Sequence, residues 1–250
     1  METTTPVAAG APEPPRPINH FARILGVFFS PKATFASIVE RPSWVVPVVL
    51  MTILGLVTAY VMNQKIDWRE MTAKKIEENR GAANLSAEQK EEQIDKWSKV
   101  SPVMTYCIGA VGPILGVLVV SLILWQAYNI IGGAGTNFGT SMGIVSHVYT
   151  VTLLSGVLLI LILVLKARGT VDLENPVATN VGAFLPESTP KALQSLGQSI
   201  DIFSIWMLGL FSIGFTAVNP KKLKGKALSI VIAMWAVWVG LKMAGAWISS

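Results

Sequence analysis

The chain has 250 residues, of which 52% are hydrophobic and only 14% charged, with a net charge of +5. A soluble domain usually has about a quarter charged residues, so this composition argues against an ordinary soluble protein. The single cysteine, Cys107, excludes an internal disulfide and a cysteine-based metal cluster within one chain. Because Cys107 lies in an apolar run, we expect it to be a buried, small hydrophobic residue.

The N-terminal segment, residues 1–18, is rich in proline, alanine and threonine and is predicted to be a disordered tail. It lacks the basic start and apolar stretch of a signal peptide. In residues 19–40, apolar residues at helical spacing are interrupted by charge, and Ser30-Pro31 is typical of a helix start. We therefore expect two short amphipathic helices in the membrane interface, or alternatively packed on the protein's own loops.

Long apolar segments then predict an all-α, multi-pass bundle, since a helix needs about 20 apolar residues to cross the hydrocarbon core. Pro113 should bend the second of these spans. Residues 19–250 are predicted to form one membrane domain with polar loops at 63–102 and 166–199. The five expected spans are residues 44–62, 103–131, 142–165, 200–218 and 227–248.

The first polar loop contains eight basic and eight acidic residues. Ser86 followed by Gln89 matches a capping box and predicts a surface helix over residues 86–97. We interpret this helix as a solvated, charge-balanced surface, with a docking site as the alternative.

The orientation follows from the short turn after the fourth span, which has four lysines and no acidic residue. Basic loops are retained in the cytoplasm, so this turn and the N-terminus are predicted to be cytoplasmic. Five spans would place both long polar loops on the opposite side. The eight basic residues of loop 63–102 are a competing signal.

Ionisable groups at membrane depth need an explanation, because each costs roughly 2.5–3.5 kcal/mol on insertion scales. Asp201 begins the fourth span and Lys242 lies near the end of the fifth. In an antiparallel hairpin these residues lie at similar depth, which predicts an ion pair between them. The alternative is that Asp201 caps its helix and Lys242 extends toward the headgroups.

His147 lies about one turn inside the third span and could titrate near neutral pH or ligate a metal. No second histidine is near it in sequence, so a hydrogen bond to a polar side chain is the favoured interpretation. Gln126 and Asn129 on the preceding helix are the expected partners.

Small residues at helical spacing occur in the second and fifth spans. Such residues allow neighbouring helix backbones to approach closely inside a bilayer. The candidates for close helix packing are Gly109, Gly112, Gly116, Ala236, Gly240 and Ala244.

Motifs for enzymatic chemistry are not found: there is no metalloprotease, hydrolase or phosphate-binding motif and no carboxylate pair inside the membrane. We therefore predict no catalytic residue, cofactor or metal, and no nucleic-acid partner. A non-enzymatic scaffold acting through helix contacts is the main functional hypothesis. A small-solute or ion pathway is the alternative, motivated by Pro113, His147 and Lys242, and an intramembrane enzyme ranks third.

Residues 199–206 contain the word Asp201-x-Phe203-x-x-Trp206, which resembles a signature of prokaryotic members of the Yip domain family. Residues 180–186 and 28–35 are also similar to members of this family. The family is named for eukaryotic proteins that interact with Ypt/Rab GTPases. The resemblance implies five membrane helices, a cytoplasmic N-terminus and, for a prokaryotic member, the inner membrane.

The resemblance also bears on partners. In the eukaryotic branch it implies a role in membrane traffic through Rab-type GTPases and partner membrane proteins. This chain has a short tail and a long charged first loop, which makes binding to a Rab-type GTPase doubtful. The expected partners are the lipid bilayer, other membrane proteins or a second copy of the chain.

Overall fold

The structure, a computed structural model, describes residues 19–77, 79–82, 84–170, 176–186 and 188–248. The predicted tail, residues 1–18, lies outside this part of the chain. The described residues form helices and no β-strand, apart from one isolated bridge, so the all-α prediction is confirmed. The helices are α1 (His20–Phe29), α2 (Pro31–Glu40), α3 (Val45–Lys65), α4 (Trp68–Glu77), α5 (Ala87–Ile130), α6 (Phe138–Val148), α7 (Val151–Leu165), α8 (Lys191–Ser199), α9 (Ile202–Val218), α10 (Pro220–Leu223) and α11 (Ala227–Ile248).

Within the described residues, four helical segments are long and apolar enough to cross a membrane, namely α3, α5, the consecutive pair α6–α7, and α11. The multi-pass prediction is therefore confirmed. The remaining predicted span is α9, an apolar helix of 17 residues. At 1.5 Å per residue it is about 26 Å long, slightly less than the hydrocarbon core of about 30 Å. The predicted number of five spans is thus approximate.

Helix α5 differs from its predicted boundaries. Ser86 and Gln89 form the expected capping box, but the helix then continues for 44 residues through both Pro102 and Pro113. A proline removes one backbone hydrogen bond, yet α5 stays continuous, and it packs against α3 and α4. The surface helix and the second span are therefore one element of about 66 Å. Cys107 is exposed on it, which corrects the expectation that it is buried.

The N-terminal helices α1 and α2 form a hairpin that packs on α6 and α9. Phe35 and Ile38 on the inner face of α2 are fully buried. The ring of Phe28 meets the Trp206 ring edge-on at 5.5 Å, and Phe35 packs on Gly214. Because these two α9 residues are eight positions apart, the hairpin follows α9 for about 12 Å. The hairpin therefore packs along the membrane bundle.

The core of the bundle is centred on α6, in which residues 140–148 are all buried. Beside it, the rings of Tyr128 and Phe215 stack at 3.9 Å. The Tyr128 hydroxyl donates to the Ala227 carbonyl at 2.8 Å, which joins α5 to the start of α11. We call this the lysine-turn end of the bundle, since residues 219–226 lie there. The opposite end, with residues 63–102 and 166–199, is the loop end.

Candidate functional site

Asp201 is the N-cap of α9 at the loop end. Its Oδ1 accepts hydrogen bonds from the backbone N–H groups of Phe203 (2.9 Å) and Ser204 (3.2 Å). Its Oδ2 accepts from the Thr179 hydroxyl. The carboxylate is therefore used to satisfy the helix start and to hold the preceding loop, which is the capping alternative of the sequence analysis.

Lys242 does not contact Asp201. Its Nζ donates to the Ser199 hydroxyl at 3.0 Å, and no Asp201–Lys242 ion pair forms within 4.0 Å in the described structure. The predicted depth of Lys242 is close to the observed one, since its partner, Ser199, is two residues before Asp201 in the sequence. The Asp201 carboxylate instead bonds to the backbone amides at the start of α9 and to the Thr179 hydroxyl.

Lys242 lies at one end of a groove between α5, α9 and α11, which we call the lateral groove. Its volume is about 620 Å³ and its walls are mostly apolar, with Trp235 among them. Val119 and Trp238 on its walls are 55% and 62% exposed, so the groove opens sideways, toward lipid. The polar side chains at its loop end are Gln198, Ser199, Ser204 and Lys242.

The segments that carried the family resemblance come together in space. Asn180 and Asp201 form a β-bridge, and Asn180 also caps the 3₁₀ turn Val181–Phe184. Phe203 is partly buried against the core, and Trp206 contacts Phe28 of the N-terminal hairpin. Three segments distant in sequence thus meet around the first turn of α9.

His147 is fully buried in α6. Its Nδ1 donates to the Gly143 carbonyl at 2.8 Å, and its Nε2 is buried without a partner in the described part of the chain. The predicted cluster does not form, because Asn129 bonds to the backbone of Thr136 and Gln126 is exposed. His20, on α1, instead lies close enough to interact electrostatically with His147.

Arg23 is a buried cation that the sequence analysis overlooked. Its guanidinium donates to the Ser37 carbonyl (2.7 Å), the Arg41 carbonyl (2.8 Å) and the Ser43 hydroxyl (3.0 Å). Burial lowers its pKa, although arginine remains charged at any physiological pH. These three bonds fasten α1 to the C-terminal end of α2. The sequence contains a signal for this anchoring role, since Arg23 is the one basic residue besides His20 in the otherwise apolar helix α1.

The predicted small residues have different environments. Gly109 meets Gly55 where α5 crosses α3, and a Cβ added at Gly109 would lie 2.6 Å from the Gly55 carbonyl oxygen. A Cβ added at Gly116 would make an ordinary van der Waals contact with Tyr149. A Cβ added at Gly112 would contact Ile108 of the same helix and no other described residue. On α11, by contrast, the small residues point away from the bundle: Ala236, Gly240 and Ala244 are exposed.

The outer face of α1 is a stripe of exposed apolar side chains, which we call the α1 stripe. Phe21, Leu25 and Phe29 follow each other at four-residue intervals and are 68%, 60% and 83% exposed. The opposite face is fixed to the bundle through Val27 and Arg23. The helix is thus docked on one side and apolar on the other.

Metal-binding chemistry was also considered. Among the described residues, no group of three or more histidine, cysteine, aspartate or glutamate side chains is close enough together to hold a metal ion.

A family model described as the Yip1 domain matches residues 25–244, which is most of the chain. The chain belongs to the Yip1 domain family. Searches of curated proteins and of solved structures gave no match. The family predicted from residues 28–35, 180–186 and 199–206 is confirmed, and this Yip1 domain is an integral, multi-pass membrane protein.

Proposed function

We propose that this Yip1 domain is a non-enzymatic membrane scaffold that acts through contacts with lipid and with partner membrane proteins. The α1 stripe carries the proposal. It places three large apolar side chains on one exposed helix face, and exposed patches of this kind mark membrane or protein interaction sites.

The anchoring of α1 supports a scaffold over a loosely attached helix. The Arg23 guanidinium bonds to two carbonyls and a hydroxyl at the end of α2. Val27 on the same inner face is fully buried. A partner that binds the α1 stripe is therefore held at a fixed position relative to the bundle.

A transport function has less support. Transport sites need polar groups free to bind solute near the midplane. Here the hydroxyls of Ser146 and Thr150 donate to carbonyls of their own helical segment, and Ser141 donates to the Ser121 carbonyl. The Nε2 of His147 has no partner among the described residues, but His147 is fully buried and does not line the lateral groove. The lateral groove is mostly apolar.

We further propose a cytoplasmic N-terminus in the inner membrane of a prokaryote. The lysines at 221, 222, 224 and 226 support this orientation. The proposed partners are the bilayer, another membrane protein or a second copy of the chain. A Rab-type GTPase is not proposed, because the first polar loop, residues 63–102, is long and charged.

Site-specific photo-crosslinking in native membranes tests the scaffold proposal. A photoreactive residue at Leu25 should give discrete adducts with a membrane protein or a second copy. The matched control is Val157, which is 55% exposed on α7 and should give lipid adducts alone. Proteoliposomes of the full chain should show background flux of ions and small solutes. Lipid adducts alone at Leu25, or flux above background, would contradict the proposal.

A further inference from the structure

Lys242 lies six residues before the end of the membrane-spanning helix α11 and has no neutralising partner in the described structure. Its Nζ bonds to the neutral Ser199 hydroxyl, and no described carboxylate forms an ion pair with it within 4.0 Å. A charge at membrane depth is costly unless it is paired or reaches the headgroups. The nearby carboxylate, Asp201, caps α9 and does not form an ion pair with Lys242 in this structure. The surroundings of Lys242 therefore favour binding of an external anion.

The lateral groove that leads to Lys242 has the length of one lipid leaflet. On α11 its wall runs from Val231 to Lys242, a rise of about 16 Å. This is about half of the 30 Å hydrocarbon core. The polar side chains of Gln198, Ser199 and Ser204 lie at the same end as the cation. An apolar chain with an anionic head matches this arrangement.

The open side of the groove favours an acyl chain of the surrounding bilayer as its occupant. Val119 and Trp238 on its walls are 55% and 62% exposed, so a lipid chain can enter the groove directly from the bilayer.

We propose that the lateral groove binds one acyl chain of an acidic phospholipid, whose phosphate forms an ion pair with Lys242. The charge-assisted hydrogen bond from Nζ to a phosphate oxygen is stronger than its present bond to a hydroxyl. A net-negative lipid is preferred to a zwitterionic one because its charge neutralises the lysine. Gln198 and Ser204 supply further donors to the headgroup.

Lipid retention, measured by native mass spectrometry, tests whether the charge of Lys242 selects an acidic phospholipid. The full chain is reconstituted in nanodiscs with equal phosphatidylglycerol and phosphatidylcholine, then released into mild detergent. The wild type should retain one phosphatidylglycerol with about fivefold preference, as expected for one lysine near the membrane surface. Lys242→Gln should abolish the preference and Lys242→Arg should keep it. Lys221→Gln, at the lysine-turn end, is the control and should also keep it.

A second pair of variants tests the groove. Val119→Trp fills it and should reduce the retained lipid of both kinds at least fivefold. Val111→Trp, on the same helix but outside the groove, should leave retention unchanged. Circular dichroism of each variant checks that the helical content is intact.

Equal retention of both lipids by the wild type would overturn the proposal, as would an unchanged preference in Lys242→Gln. Undiminished retention in Val119→Trp would do the same, and so would recovery of a second chain in place of lipid. Loss of the preference in Lys242→Gln with retention in Lys242→Arg assigns it to the positive charge, since both replacements carry N–H donors for Ser199.

Discussion

The two ends of the bundle treat buried polarity in opposite ways. At the lysine-turn end, Tyr128, Arg23 and Ser146 are bonded to carbonyls or hydroxyls of the chain itself. His147 on α6 is bonded through Nδ1 to the Gly143 carbonyl, and its buried Nε2 has no partner in the described structure. At the loop end, Lys242 is bonded to one neutral hydroxyl and faces a groove that is open to lipid. The polar groups of the lysine-turn end are mostly bonded within the chain, whereas the loop end presents a cation in an open groove.

This difference separates stability from recognition. A buried polar group that bonds within the chain stabilises one arrangement of helices, and removing its partner is costly. A charge whose pairing is incomplete contributes less to folding and more to binding. We therefore expect substitutions at the lysine-turn end to affect unfolding strongly and those at Lys242 to affect it weakly.

The largest expected effect is that of Arg23→Leu. It removes three hydrogen bonds and leaves the carbonyls of Ser37 and Arg41 with one partner fewer. The free energy of unfolding in mixed micelles should fall by about 3 kcal/mol, the upper part of the range for hydrogen bonds to a charged group. Lys32→Leu, an exposed change on the same hairpin, is the control and should stay within about 0.5 kcal/mol. Equal effects of the two would show that Arg23 does not fasten the hairpin.

The second largest effect is expected for Gly109→Ala, at the crossing of α3 and α5. Gly109→Ala places a methyl group against the Gly55 backbone, which cannot move aside as a side chain can. We expect a loss of about 2 kcal/mol, typical of overpacking, in the same unfolding measurement.

Gly112→Ala, three residues away on α5, is the matched control. Its nearest described contact is 3.7 Å away, to Ile108 of its own helix. It should be neutral or stabilise the helix by up to about 1 kcal/mol. If both alanines destabilise the protein equally, the crossing of α3 and α5 is not at Gly109.

The smallest expected effect is a coupling energy. Asp201→Ala should cost about 1–2 kcal/mol through loss of the α9 cap. Lys242→Met should cost less, because a single hydrogen bond to Ser199 is lost. Since the two side chains have different partners, their effects should add to within about 0.5 kcal/mol in the double variant. A coupling energy above 1 kcal/mol would instead support the Asp201–Lys242 ion pair that was predicted from the sequence.

The sequence predicted what depends on hydrophobicity and local signals. The apolar runs predicted the spans, and the capping box at Ser86 and Gln89 began α5 where expected. The continuous course of α5 through Pro102 was not predicted, because a proline is a common helix boundary and its local sequence does not reveal the packing of α5 against α3 and α4. The exposure of Cys107 has a similar cause, since an apolar run does not reveal which helix face meets lipid.

The candidate site was harder to predict from the sequence. Residue numbers placed Lys242 and Asp201 at similar depth, but they could not reveal that Thr179 and the backbone amides of α9 occupy the carboxylate. Likewise, Asn129 appeared to be a partner for His147 until the fold placed it against Thr136. The lateral groove follows from the spacing of three helices, which no local pattern encodes.

The comparison of the two ends depends on their lying on opposite sides of the membrane, and thus on α9 crossing it despite its 17 residues. The direct test places single cysteines at Lys191 or Lys222 in a Cys107→Ser background. These variants are then labelled with an impermeant maleimide on sealed vesicles of known orientation. We predict that the two positions are labelled from opposite sides. Labelling of both from the same side would contradict the account.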